Sequence, residues 1–127
     1  MKYQLRSAFF CQDYLADQGT PPTKPLVGVG QSAKPVRLNV VMELAGPAGA
    51  SDNVTLGILL PNGRHTRIGP DFFRFDESGH ATVVFLIHAM PLDAAGTVSA
   101  QVLFSGEEMG TPVCGMEIVP GGSPTIH

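Results

Sequence analysis

The sequence predicts an all-β protein, and three observations carry that reading. The first is a two-residue rhythm of apolar side chains. Val36, Leu38, Val40, Met42 and Leu44 stand against Arg37, Asn39 and Glu43, and the rhythm returns in Val54, Leu56, Ile58, Leu60, in Ala81, Val83, Phe85, Ile87 and in Val98, Ala100, Val102, Phe104. Successive strand side chains leave on opposite faces, so this alternation describes sheets with one packed face, whereas a helix needs apolar positions three and four apart. The second is that 15 Gly and 11 Pro fall between these runs and not in a repeat. The third is spacing: turn signals recur about every eight to twelve residues, as in a sandwich or small barrel. The expected architecture is an immunoglobulin-like antiparallel β-sandwich of about seven to nine short strands. Trp is absent, and Cys11 and Cys114 stand far wider apart than an immunoglobulin inter-sheet bridge requires, so only the architecture is implied.

The first strand is expected from Lys2 to Cys11, with Tyr3, Leu5, Phe9 and Cys11 on its apolar parity. Gln12 to Gln18 is polar, and the prolines of Gly19–Pro25 remove amide donors and fix φ, which requires a loop. Leu26–Gly30 reads as a short strand whose glycines suggest a bulge or close backbone approach. Val36–Leu44 and Asn53–Leu60 follow, and Asn62-Gly63 is a hairpin signal because both residues tolerate positive φ, so Arg64–Ile68 should pair back. Pro70 to Asp76 is ambiguous, because Phe73 and Phe75 alternate with charges while Phe72 breaks the parity. Strands at Ala81–His88, Thr97–Phe104 and Val113–Val119 complete a single domain, residues 1–119, with 120–127 as a flexible tail.

At 127 residues the chain can bury a genuine core without a stapling metal or disulfide. A net charge of -3 and basic residues scattered along the chain argue against nucleic acid as a partner, since such binders gather Lys and Arg on one face. Charges interrupt the N-terminal segment before any secretory apolar run, and no stretch is long enough to span a membrane. A cytoplasmic setting with two reduced, packed thiols is therefore expected, a bridge between the first and last strands being the alternative.

The candidate chemistry is sparse. His65, His80, His88 and His127 have no zinc-like spacing, and a metal site could be built only in space with Asp71, Asp76 or Glu77. Cys11 invites a nucleophile reading but continues the apolar parity of its strand, which suits a packed thiol. Gly28-Val29-Gly30 lacks the third glycine and the helix of a phosphate cradle. The polar residues Gln12, Asp13, Tyr14 and Asp17, with Asp71, Asp76 and Glu77, are the candidate exposed patch at a loop end. No catalytic, metal or cofactor-binding residue is expected.

The segments Ala8-Phe9-Phe10-Cys11-Gln12-Asp13-Tyr14 through Lys24-Pro25-Leu26-Val27-Gly28-Val29, Leu60-Pro61-Asn62-Gly63, and Ala95-Gly96-Thr97-Val98 through Leu103-Phe104-Ser105-Gly106-Glu107 resemble a family of small bacterial proteins of unknown function. The chain departs from that family in the Pro-rich insertion at Gly19–Pro25. The resemblance implies a compact sandwich and supplies no activity.

Val41, Leu59, Val84, Leu86 and Leu103 lie on the parity opposite the main core. Exposed together they would form an apolar patch. The function expected from the sequence is therefore a non-enzymatic module for protein–protein contact, self-associating into a homo-oligomer, with no nucleic acid or membrane partner. A small-ligand-binding protein with a loop-end pocket is the alternative.

Overall fold

A computed structural model of the chain describes residues 3–12, 25–105, 107–108 and 112–120. Among them lie nine strands: β1 (Gln4–Cys11), β2 (Gly28–Gly30), β3 (Val36–Ala45), β4 (Ser51–Leu59), β5 (His65–Arg74), β6 (His80–Met90), β7 (Gly96–Phe104), β8 (Glu107–Glu108) and β9 (Cys114–Val119). The protein is all-β and has two sheets. The smaller runs β1-β3-β6; the larger runs β2-β9-β7-β4-β5, with β8 beside β7. All pairings are antiparallel except β2 with β9.

The inward parities of both sheets meet in one buried cluster. Leu38, Val40, Met42 and Leu44 of β3 and Ala81, Val83, Phe85 and Ile87 of β6 join Val54, Leu56 and Ile58 of β4, Val98, Ala100, Val102 and Phe104 of β7, and Met116 and Ile118 of β9. Each fully buried Val, Leu, Ile or Phe side chain contributes about 1.5–3 kcal/mol by leaving water. The four alternating runs therefore lie where their rhythm places them. Leu60 is also buried, in the connection after β4.

Three departures from strict alternation come from bulges, one of them in β6, where Ile87 pairs with Leu38 and Met90 with Val36 so that His88 and Ala89 share one step of β3. In β1, Leu5 pairs with Leu44 but Ser7 already pairs with Glu43, so Arg6 is an extra residue. The insertion flips every later side chain to the other face. Phe10, opposite Val40, fills the core at 0% exposure, and Phe9, expected inward, lies on the outer face opposite Val41. In β5, Ile68 pairs with Leu56 and Asp71 with Val54, leaving Gly69 and Pro70 to share one step of β4. Phe73 is consequently inward and Phe72 outward, which resolves the segment that sequence parity left ambiguous.

The β4–β5 turn is wider than a two-residue hairpin. The last pair is Leu59 with His65, and only Gly63 of the Asn-Gly pair has positive φ, at 87°. Leu60 N–H donates to the Arg64 carbonyl at 2.9 Å, and Arg64 N–H donates to Asn62 Oδ1 at 3.0 Å. Among the described residues no helix is long and apolar enough to cross a membrane.

Candidate functional site

The described members of the expected loop-end patch, Gln12, Asp71, Asp76 and Glu77, do not come together at one end. Gln12 is exposed just past β1, where its carbonyl accepts a bond from Asn39 Nδ2 at 3.3 Å. Asp71 lies within β5. Asp76 and Glu77 occupy the β5–β6 turn, where Asp76 Oδ1 accepts from the Ser78 hydroxyl at 2.7 Å and from the backbone N–H of Ser78 at 3.0 Å and of His80 at 2.9 Å. The Ser78 hydroxyl first, then the His80 amide, hold the Asp76 carboxyl below its usual range. That carboxylate is engaged in shaping its own turn. Cys11 pairs with Asn39 at one end of the smaller sheet, whereas Ala45 pairs with His80 at the other, so Gln12 and the Asp76–Glu77 turn sit at opposite ends. Asp13, Tyr14 and Asp17 lie outside the described residues, as does the tail beyond Pro120.

Cys11, buried, and Cys114, partly so, are not bridged to each other. Burial pushes the Cys114 thiol up to about 12, which leaves it a poor nucleophile. His80 Nε2 stands 3.7 Å from Glu43 Oε2 on the surface. Among the described residues no group of three or more His, Cys, Asp or Glu is placed to hold a metal ion.

A polar junction ties the sheets at one end. Tyr3, just before β1, donates its hydroxyl to Asp52 Oδ2 of β4 at 2.7 Å, and its ring packs on Phe73, Phe75 and Phe104 at 5.7, 5.3 and 5.2 Å. Asp52 Oδ1 also accepts from the Ser105 hydroxyl and from Asn53 N–H. Ser105 has φ 48°, a conformation that the junction helps to hold. Desolvation, then the Asp52 carboxylate, raises Tyr3 to about 12 from 10.0. The folded state thus favours the neutral phenol, and the associated stability is complete below pH 10 and is lost as pH rises toward 12. Asp52→Ala should cost about 1–3 kcal/mol in urea denaturation, because the Tyr3 and Ser105 hydroxyls lose a charged acceptor. Tyr3→Phe should reduce the fall in melting temperature between pH 10 and 12, measured by circular dichroism.

The more distinctive surface is the outer face of the larger sheet along β5. The pairings Leu59 with His65, Gly57 with Arg67, Asn53 with Phe72 and Ser51 with Arg74 put these residues on one face, opposite the buried Val54, Leu56 and Ile58. The row His65, Arg67, Phe72, Arg74 runs along ten residues, roughly 30 Å of strand. Phe72 is 68% exposed, the largest exposure of any big apolar side chain described. Arg64 is exposed in the adjoining turn. The next strands add Asn53, Gln101 and Leu103 to this face; the register sets Glu108 of β8 opposite Leu103, and Glu117 of β9, bonded by the Thr97 hydroxyl, lies at the far side. Sequence reading missed this row, because the bulge at Gly69–Pro70 is what aligns Arg67 with Phe72 and Arg74.

No family model matches the chain, and no curated protein matches it. Among solved structures the chain is similar to the Pseudomonas fluorescens alkylpurine DNA glycosylase AlkC bound to DNA containing an abasic site analog, with a TM-score of 0.59 and 15% identity over 93% of this chain. The chain spans 30% of that protein's length. The likeness is one of fold, and the protein that carries the fold there is an enzyme on DNA. Three expectations are corrected accordingly: that the chain is a protein-contact or self-associating module, that it stands apart from enzymes, and that nucleic acid is excluded as a partner. The five residues behind the first of these do not share one surface either. Val41 is fully buried, Val84 and Leu86 belong to the smaller sheet, and Leu59 and Leu103 to the larger.

Proposed function

We propose that this chain is an immunoglobulin-like β-sandwich that contacts DNA through the outer face of β5. The observation that carries the reading is an exposed aromatic ring flanked by arginines on one strand face, Arg67, Phe72 and Arg74, with His65 in the same row and Arg64 exposed in the turn beside it. Arginines neutralise phosphates and release their counterions, and an exposed ring offers a base a stacking surface. The DNA-bound protein with a similar fold supports the same partner class. A chain with net charge -3 gains little from long-range attraction, so the contact depends on this local row.

Fluorescence anisotropy with a labelled DNA duplex tests the reading. Three arginines on phosphates give a slope of log K against log salt of about -2.7, or roughly 40-fold weaker binding between about 50 and 200 mM salt. Arg67→Ala with Arg74→Ala should weaken binding and lower the slope by about 1.8. Phe72→Ala should weaken a labelled single strand more than the duplex. Absence of binding at low salt, or binding indifferent to both arginines, overturns the reading.

A further inference from the structure

Gly57 sits in the middle of β4, between β5 and β7, where a glycine weakens a strand and needs a reason. Neither usual reason applies. Its φ is not in the left-handed region, and a Cβ built on it would meet nothing nearer than the Gln101 carbonyl at 3.9 Å. Gly46 and Gly115 contrast with it, since a Cβ at the first would strike the Phe75 ring at 2.6 Å and at the second the Val98 carbonyl at 3.0 Å. What the missing side chain does leave at Gly57 is a depression of about 160 Å³ on the outer face, walled by Leu59, His65, Arg67, Gln101 and Leu103.

Resting on the DNA-contact reading above, we infer that this depression seats one unstacked pyrimidine nucleotide. The volume admits one six-membered ring, since an apolar cavity of roughly 150 Å³ holds a benzene molecule. A purine is larger by a second fused ring. The walls are divided by chemistry. Leu59 and Leu103 stand on either side of Gly57 as apolar flanks for the ring, the first 39% exposed. Gln101, directly opposite Gly57, carries an amide that both donates and accepts and has no side-chain bond among the described residues. That amide suits the edge of a pyrimidine, where a carbonyl and a ring or exocyclic nitrogen lie side by side. Arg67, opposite Gly57 on the other neighbouring strand, supplies the cation for the nucleotide's phosphate, with His65 two residues before it. The depression opens onto the same face as Phe72, so a single strand following β5 could present one base to Phe72 and another to Gly57.

The test compares labelled oligo-dT, oligo-dA and a duplex by anisotropy on the wild type and on Gly57→Val, a substitution for which the strand has room and favourable propensity. The expected result is at least about tenfold tighter binding of oligo-dT than of oligo-dA. Gly57→Val should erase that preference and leave duplex affinity and its salt slope unchanged. Gln101→Ala should reduce the preference as well. Equal affinity for the two oligomers, or an oligo-dT affinity untouched by Gly57→Val, overturns the inference while salt- and arginine-dependent duplex binding leaves the DNA-contact reading standing. Loss of all nucleic-acid binding in the wild type overturns both.

Discussion

Phe85→Asp is expected to abolish the cooperative unfolding transition. Phe85 has no exposed surface and pairs with Val40, itself 1% exposed, at the centre of the smaller sheet. Removing a buried Phe ring costs about 3–5 kcal/mol by transfer and cavity terms. The replacement then adds a carboxyl group in an apolar cluster, charged or protonated, with no partner for its oxygens, a further penalty of several kcal/mol. Together these approach the whole stability of an ordinary domain, about 5–15 kcal/mol. His88→Asp on the same strand is the control, since His88 is exposed and such surface changes stay within about 0.5 kcal/mol. Thermal circular dichroism should show a sharp transition for His88→Asp and the wild type and a broad drift for Phe85→Asp. A wild-type melting temperature for Phe85→Asp would mean that the two sheets do not meet over this residue.

Alternation is legible because its physical cause is local: neighbouring side chains on an extended backbone must point apart, so a run such as Ala81, Val83, Phe85, Ile87 selects its own face. The four such runs accordingly lie in the shared core. What alternation cannot convey is a residue that does not count. Arg67 and Arg74 are an odd number of positions apart, as are Arg67 and Phe72, so a regular strand would put Arg67 on the face opposite both. The extra residue at Gly69–Pro70 restores them to one face, and only the pairing of Ile68 with Leu56 and Asp71 with Val54 reveals it. Net charge concealed the same surface, because it averages the arginines of one edge strand with carboxylates that lie elsewhere, such as Asp52 at the Tyr3 junction and Asp76 in its turn. The described members of the loop-end patch lie apart for a related reason. Closeness in polarity along the chain says nothing about which end of a sheet a turn occupies, and Gln12 and Asp76 are held apart by the full length of β3.

The bulge at Arg6 makes the second large prediction, because it exchanges the roles of two adjacent phenylalanines. Counting by twos from Tyr3 and Leu5 places Phe9 in the core, and Phe9→Ala would then be the damaging substitution. With Arg6 skipped in the pairing, Leu5, Ala8 and Phe10 face Leu44, Met42 and Val40, and Phe10 is the ring in the buried cluster. Phe10→Ala should therefore cost about 3–5 kcal/mol. Its backbone carbonyl still accepts the Leu26 N–H bond of 2.7 Å in the variant, so the loss measures the side chain and not the link between β1 and the residue leading into β2. Phe9, half-buried on the outer face beside Val41 and paired with it, should cost only about 1–2 kcal/mol on truncation, the part of its burial that Val41 supplies. Urea denaturation of the two single variants decides the register directly. A larger loss at Phe9 than at Phe10 would remove the bulge from β1 and return the strand to simple alternation. Deleting Arg6 sharpens the comparison, because Leu5 and Ser7 then become neighbours opposite Leu44 and Glu43 and the strand pairs without a bulge: Leu5, Ala8 and Phe10 all keep the core face, so the deletion should destabilise by much less than Phe10→Ala in the same urea measurement.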